Sequence, residues 1–289
     1  MKDKNNAEYR QSWGVNIEDL QGFYIEDEKL AVIQDLMFSG INVMLTGDPG
    51  SGKTDFCKRI AEAHGMPFYR VNVGAIRTPR DWFGHWEFIA GQTVFVKSRF
   101  IDAIQKPGVI ALDEFNRVTP DIHNSIYTIL DHNREVYVEE TKEYVKVHPQ
   151  CIFLATENRG RSHTGIFAED IAIEDRFVII RLELPPIDVM SDILVKYHGA
   201  KERDALLFAR FTHKLNELYN EEVLSKATGF RSAITASVLV KRGQHLKTAI
   251  KYAFVNRFSP VGGVDSEQTT VLQVVQAYLE EQMFDKGVL

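Results

Sequence analysis

Gly47-Asp48-Pro49-Gly50-Ser51-Gly52-Lys53-Thr54 decides the reading of this 289-residue chain. The stretch fits G-x-x-x-x-G-K-[ST]. It follows the apolar run Ile41-Asn-Val-Met-Leu-Thr46 and precedes a helical stripe of Phe56, Cys57, Ile60 and Ala61 that stops at Gly65. A strand, a glycine-rich loop and a helix in that order form a phosphate site. Glycines at 47, 50 and 52 let backbone N–H groups close on a triphosphate without Cβ clashes, and the helix behind them offers its positive end. Lys53 would reach the β- and γ-phosphates and the Thr54 hydroxyl would ligate Mg²⁺. Asp48, Pro49 and Ser51 complete the cofactor-binding loop, for ATP or GTP.

Val109-Ile-Ala-Leu-Asp113-Glu114 reads as a buried strand ending in two carboxylates. Buried unpaired charge is costly, so the pair belongs at the carboxyl edge of an open α/β sheet, where ligands bind. It has the form of a Walker B motif. Asp113 would hold the Mg²⁺ shell and Glu114 would orient and polarise the attacking water. Cys151-Ile-Phe-Leu-Ala-Thr-Glu-Asn158 is a further strand with polar groups only at its far end, which sets Asn158 toward the same edge.

The remaining chain arranges itself around these strands. Residues 1–20 are polar and aperiodic, an arm that orders only against the body or a neighbour. A helix is expected over 26–38 and a strand over 68–73. Residues 76–107 read as an insertion in which Trp82, Phe83, Trp86 and Phe88 pack on one another, with a hairpin turning at Ala90-Gly91-Gln92. Thr119-Pro120 starts a helix with Ile122, Ile126, Ile129 and Leu130 on one face. A second hairpin pairs Val136-Tyr-Val138 with Tyr144-Val-Lys-Val147. The acidic group Glu169, Asp170, Glu174 and Asp175 reads as a solvated face. A fifth strand is expected over 176–184, closed by Pro185-Pro186, which lack N–H donors and mark a domain boundary. Beyond it the pattern is helical throughout, at 188–198, 202–221, 230–242, 244–257 and 266–285. The expected organisation is an arm over 1–20, an α/β nucleotide-binding domain over 21–187 and a helical lid over 188–289.

Composition is that of an ordinary globular chain, 44% hydrophobic and 26% charged. The net charge of −6 argues against a surface built to clamp nucleic acid, although a basic pore in an acidic assembly would escape that test. The two cysteines, Cys57 and Cys151, read as buried thiols of a reducing compartment. The first residues have no apolar signal segment and no window of eighteen apolar residues occurs, so a cytoplasmic location without membrane contact is expected.

The phosphate loop, Asp113-Glu114, Asn158, Arg176 and a helical lid together resemble an AAA+ ATPase. Asp113-Glu-Phe-Asn-Arg117, Ala155-Thr-Glu-Asn158 and Glu174-Asp-Arg-Phe177 are similar to the MoxR-like group, which includes the cobalt chelatase subunit CobS and the Rubisco-activating CbbQ proteins. The resemblance covers about residues 20–258. It implies a P-loop core with a five-stranded parallel sheet between helices, two hairpin insertions and an all-helical lid. It implies Asn158 as sensor 1, Arg176 as an arginine finger serving the adjacent subunit, with Arg117 a second candidate, and Arg231 in Thr228-Gly-Phe-Arg-Ser232 as sensor 2. Asn158 is followed by Arg159-Gly-Arg-Ser-His163 where the bacterial MoxR pattern has Pro, and the long polar connection favours the CobS branch. The resemblance further implies ATP and Mg²⁺ as cofactors, a homo-oligomeric ring, most often a hexamer, and a protein client or a von Willebrand A domain partner.

Three functions compete at this stage. One is an ATP-hydrolysing ring that remodels a protein client or drives metal insertion. The second is a nucleic-acid-translocating motor, and the third a nucleotide-dependent scaffold that has no need of hydrolysis.

Overall fold

A computed structural model describes residues 15–158 and 175–284. Residues 1–14 of the expected arm, and the stretch 159–174 with Glu169, Asp170 and Glu174, lie outside the described residues. The chain divides into two compact units. The first takes the described residues up to Leu20, Ile25–Gly47 and Lys53–Leu182; the second takes Gln21–Tyr24, Asp48–Gly52 and the chain from Glu183. The middle of the glycine-rich loop therefore clusters with the helical part, and the division falls at Leu182, ahead of the boundary expected after 187.

In the first unit, helix α1 (Asp27–Phe38) buries Leu30, Ile33 and Met37 and leads to β1 (Val43–Gly47). Helix α2 (Lys53–Ala63) buries the expected stripe of Phe56, Cys57, Ile60 and Ala61. Strand β2 (Phe68–Asn72) follows, then a hairpin of β3 (Gly84–Ile89) and β4 (Gln92–Lys97). A short helix, α3 (Arg99–Ile104), was not expected from the sequence. It is begun by Ser98, whose hydroxyl accepts the Ile101 N–H at 3.2 Å, satisfying one of the unpaired donors of a helix start. Strand β5 (Gly108–Asp113), helices α4 (Pro120–Asn124) and α5 (Tyr127–Leu130), the hairpin β6 (Glu135–Val138) with β7 (Glu143–Lys146), strand β8 (Cys151–Asn158) and strand β9 (Val178–Arg181) complete the unit.

The five long-range strands form one sheet in the order β2-β5-β8-β1-β9, every pair parallel. Strands β1 and β5 are buried along their whole length and β8 up to its last residue, whereas the edge strands β2 and β9 are partly exposed. That explains their sequences: a strand covered on both faces reads as a continuous apolar run. Parallel strands also carry all their C-terminal ends to one edge, so β1, β5 and β8 deliver the loop, the carboxylates and Asn158 to the same place.

Three expectations are corrected. The helix after Pro120 is two pieces, because the Ser125 hydroxyl donates to the Ile122 carbonyl at 2.6 Å and Ile126 leaves helical geometry (φ −117°, ψ 6°). Strand β9 is shorter than expected, its ladder ending where the Leu182 N–H bonds the Thr46 carbonyl at 2.8 Å, just before the prolines. The aromatics of the insertion do not all bury one another. Trp82 is fully enclosed and donates its indole N–H to the Ile122 carbonyl at 3.2 Å, but Trp86 is 54% and Phe88 76% exposed on the β3–β4 hairpin.

The second unit is built from α6 (Ile187–His198), α7 (Glu202–Asn220), α8 (Phe230–Lys241), α9 (Leu246–Ala253) and α10 (Glu267–Phe284). Helix α6 ends on Gly199 in the left-handed conformation, and α9 gives way to a 3-10 turn at Val255–Arg257 instead of running through. Phe208, Phe211 and Phe254 fill the core, whereas Leu206 on the same helix as Phe208 is exposed. Among the described residues no helix is long and apolar enough to cross a membrane.

Candidate active site

The carboxyl edge of the sheet holds a hydrogen-bonded group centred on Asp113. Register places Gly47 beside Asn158 and Asn72 beside Asp113. Lys53 opens α2 with its ammonium buried and donating to the Gly47 carbonyl at 2.9 Å, so the lysine closes the loop on itself. Thr54 follows it as the second residue of the helix. The Thr54 hydroxyl donates to Asp113 Oδ1 at 2.6 Å, and the Thr156 hydroxyl from β8 donates to the same oxygen at 2.6 Å. Asp113 Oδ2 accepts both Nε (2.9 Å) and Nη2 of Arg70 from β2.

Asp113 is only 4% exposed. Burial by itself would raise its pKa, but the hydrogen bonds from Thr156, Thr54 and Arg70 and the Arg70 charge outweigh burial and hold the carboxyl below its usual range. The aspartate is thus an anion at neutral pH.

Glu114 leaves the strand in the left-handed region (φ 56°, ψ 45°), a conformation that costs a non-glycine residue on the order of 1–3 kcal/mol and persists only when its surroundings hold it. The hold is visible: its N–H donates to the Thr156 hydroxyl at 3.2 Å, so Thr156 ties both carboxylate residues to β8. Beyond the turn, Glu114 Oε1 meets Arg117 Nη2 at 3.2 Å. Asn116 donates to the Asn158 carbonyl at 3.2 Å, and the Asn158 side chain makes no hydrogen bond among the described residues.

Arg176 stands at the other edge. Register pairs Val43 with Val178, so Arg176 lies beyond the start of β1, and the five residues of that strand span about 16 Å at 3.3 Å each. Its guanidinium rests 4.2 Å from the centre of the Tyr127 ring, and its carbonyl accepts from Asn42 at 3.0 Å. A cleft of about 670 Å³ opens there, lined by Ser39, Asn42, Leu130, Arg134, Val147 and Arg176. Arg134 is held in its wall by bonds to the Cys151 carbonyl and Asn42.

The second unit carries the loop middle and Arg231. Gly50 has φ +84°, and a Cβ added to Gly229 would stand 2.6 Å from Gly50 Cα and 2.6 Å from the Pro49 carbonyl oxygen, backbone atoms that cannot step aside. Only glycine fits at 229. Asn216 fixes its neighbour by accepting the Thr228 N–H at 3.0 Å and donating to the Thr228 carbonyl at 2.5 Å. Gly229 then begins α8 with no side-chain cap, and Arg231 sits in the first turn, where a cation opposes the helix dipole unless an anion is near. The hydroxyls of Thr228 and Ser232 are buried without partners among the described residues. Burial and, after it, the Arg231 charge lower the pKa of Arg257, which ends the 3-10 turn Val255–Arg257.

The loop fits an anionic nucleotide. A Cβ on Gly52 would lie 2.6 Å from the Phe23 ring and one on Gly50 3.0 Å from Gly229 Cα, so the loop backbone packs closely at two positions where a side chain would not fit, and a bare glycine backbone is what wraps a phosphate. The hydroxyl and carboxylate of Thr54 and Asp113 are the hard oxygen donors that a divalent cation such as Mg²⁺ takes. Sequence reasoning missed Arg70, Thr156, Asn216 and the role of Gly229. A threonine and a glutamate inside an otherwise apolar strand were the available signal for Thr156; nothing marked Arg70.

Residues 42–177 match the AAA domain of the dynein-related subfamily. The chain is 28% identical over 234 residues to "Putative chaperone BssE" of Thauera aromatica, covering 79% of this chain and 80% of that protein. It is 27% identical over 168 residues to midasin of Giardia intestinalis, 57% of this chain but 4% of that much longer protein. The crystal structure of a "putative ATPase" from Cytophaga hutchinsonii shares the fold, with a TM-score of 0.53 at 15% identity over 96% of both chains. With the phosphate loop on β1 and the carboxylate pair on β5, residues 42–177 of the chain form an AAA domain of the dynein-related type, and the chain is similar to BssE along most of its length.

Proposed function

We propose that the chain binds and hydrolyses ATP as one subunit of a homo-oligomeric ring, a hexamer by family resemblance, and uses the cycle to remodel a protein client. The observation that carries this reading is the Asp113 group: Thr54, Asp113 and Thr156 joined by 2.6 Å bonds, with Glu114 held beside them and Lys53 closing the loop.

Gly47, Asp48, Pro49, Gly50, Ser51 and Gly52 wrap the phosphates, and Lys53 turns from the Gly47 carbonyl to the terminal phosphates, where its charge is worth more in a water-poor site. Thr54 and Asp113 hold Mg²⁺, which when bound offsets the charge of the phosphate oxygens. Glu114 accepts a hydrogen bond from the lytic water and polarises it, which requires release of the Arg117 contact, and Asn158 helps to place that water. Arg176 serves the loop of a neighbouring copy, since in its own chain it lies a strand's length from Gly47. Arg231 answers the phosphates from the helical unit.

A protein client is favoured over the other readings by the BssE likeness, which spans most of both chains and carries the word chaperone in its name. Placement in the CobS or CbbQ branch, metal insertion, a von Willebrand A domain partner and a cytoplasmic location belong to the same proposal. The test is phosphate release from ATP with Mg²⁺ by the purified chain, with Lys53→Ala as control. Hydrolysis lost in Lys53→Ala supports the reading. Failure of the wild-type chain to bind nucleotide at any concentration tried overturns it, and full biological activity in Glu114→Gln with hydrolysis abolished would favour the scaffold.

A further inference from the structure

The Asp113 carboxylate is saturated by its own chain. An ionised carboxylate has about four lone-pair sites, and here Oδ1 accepts the hydroxyls of Thr54 and Thr156 while Oδ2 accepts Nε and Nη2 of Arg70. No site is left for a cation or for water bound to one. One donor therefore has to withdraw when Mg²⁺ arrives, and the four are not equally able to leave. Thr54 keeps its O–H directed at Asp113 even when its oxygen lone pair is given to a metal. Thr156 is buried on the central strand β8 and also holds the Glu114 N–H. Arg70 differs on both counts: it stands on the edge strand β2, and its side chain is 54% exposed. A long side chain with half its surface already in water gives up a contact at little desolvation cost.

Building on the nucleotide-binding reading above, we infer that Arg70 is a displaceable counter-ion of Asp113: it occupies Oδ2 while the site lacks a divalent cation, keeps the carboxylate oriented, and yields that oxygen to the Mg²⁺ shell when the nucleotide complex forms. Arg70 is a positioning residue that acts through Asp113. Its consequence is a threshold. Binding of Mg²⁺ has to replace a charge-assisted, two-point contact, so the gain in nucleotide affinity from Mg²⁺ is smaller than in a chain without the arginine. Loss of Arg70 leaves a buried carboxylate underpaired, and a divalent cation then relieves a larger cost.

The experiment compares dissociation constants of a non-hydrolysable ATP analogue in EDTA and in saturating Mg²⁺, for wild type, Arg70→Ala and Arg70→Lys, with thermal unfolding of each followed in both conditions. The expected result is tighter binding in Mg²⁺ with the Kd in EDTA near that of wild type, so that the Kd ratio, EDTA over Mg²⁺, rises by roughly five- to tenfold in Arg70→Ala, the size of one charge-assisted contact discounted for exposure. The same variant should melt below wild type without Mg²⁺ and recover most of the difference with the Mg²⁺ complex. Arg70→Lys, with charge but without the fork, should fall between, and it carries the test if Arg70→Ala fails to fold. An unchanged ratio, or a melting loss equal in both conditions, overturns the inference and makes Arg70 merely structural. Weaker binding in EDTA alone would also overturn it, by making Arg70 a phosphate ligand. If no chain binds the analogue in either condition, it is the nucleotide reading that fails.

Discussion

At its C-terminal end, β1 brings Gly47 level with Asn158, and the next helix sets Thr54 on Asp113. At its N-terminal end the same strand brings Val43 level with Val178, next to Arg176, Asn42 and an open cleft. The first edge has donors and carboxylates joined to one another by short bonds. The second has a guanidinium laid over a tyrosine ring, with the half-buried Arg134 beside it bonded to backbone and Asn42. The two edges are parts of one sheet and cannot be brought together by rotating a side chain, since arginine is much shorter than the strand between them. The comparison teaches that the hydroxyl and carboxylate groups gather on one edge and the guanidinium of Arg176 on the other, so that the proposed role of Arg176 in hydrolysis requires a second copy of the chain.

The largest expected effect comes from the far edge. Arg176→Ala should lower kcat for ATP hydrolysis by roughly 10³–10⁵ while leaving the nucleotide Kd of the isolated chain unchanged; steady-state rates and equilibrium binding read the two separately. A matched loss of Kd would place Arg176 in its own chain's site and break the comparison. Glu114→Gln acts at the near edge and should lower kcat by roughly 10²–10⁴ with nucleotide retained, measured by single-turnover hydrolysis.

Gly229→Ala touches neither edge of the sheet. The added methyl would meet backbone at 2.6 Å, so the loop or the start of α8 has to move. Overpacking of this kind costs about 1–3 kcal/mol, and nucleotide titration should show it as weaker affinity. Unchanged affinity would mean that the loop adapts freely.

The smallest effect is on acid stability. Asp113 has a folded pKa below its unfolded value, so its contribution to stability is present above pH about 4 and is lost as pH falls through the lowered folded pKa. Denaturant titrations should find Asp113→Asn less stable than wild type at neutral pH and the gap closing below pH about 4. A gap constant with pH would mean that the charge of Asp113 contributes nothing to its bonds.

Much of the near edge was legible before any coordinates. The phosphate loop is contiguous, so its glycines, Lys53 and Thr54 must fall together, and a run as apolar as Val109 to Leu112 can only be a strand covered on both faces. Cys151–Asn158 was legible for the same reason. What stayed hidden depends on strand order. Arg70 and Thr156 both reach Asp113 because β2 and β8 flank β5, and nothing local to either residue announces that neighbour. The break at Ser125 turned on one hydroxyl choosing a carbonyl. The fit of Gly229 against Gly50 joins segments far apart in sequence, and Phe88 was expected to pack because aromatics usually do, whereas a two-stranded hairpin has a face with nothing behind it.

The proposed division of the site between copies is tested most directly by mixing two inactive variants. Lys53→Ala lacks a working loop but keeps Arg176, and Arg176→Ala lacks the finger but keeps its loop. If Arg176 acts across an interface, mixed assemblies contain junctions where an intact loop faces an intact arginine, and ATP hydrolysis should return on mixing although neither protein hydrolyses ATP alone. Mixtures that form joint assemblies and remain silent at every ratio would contradict the account.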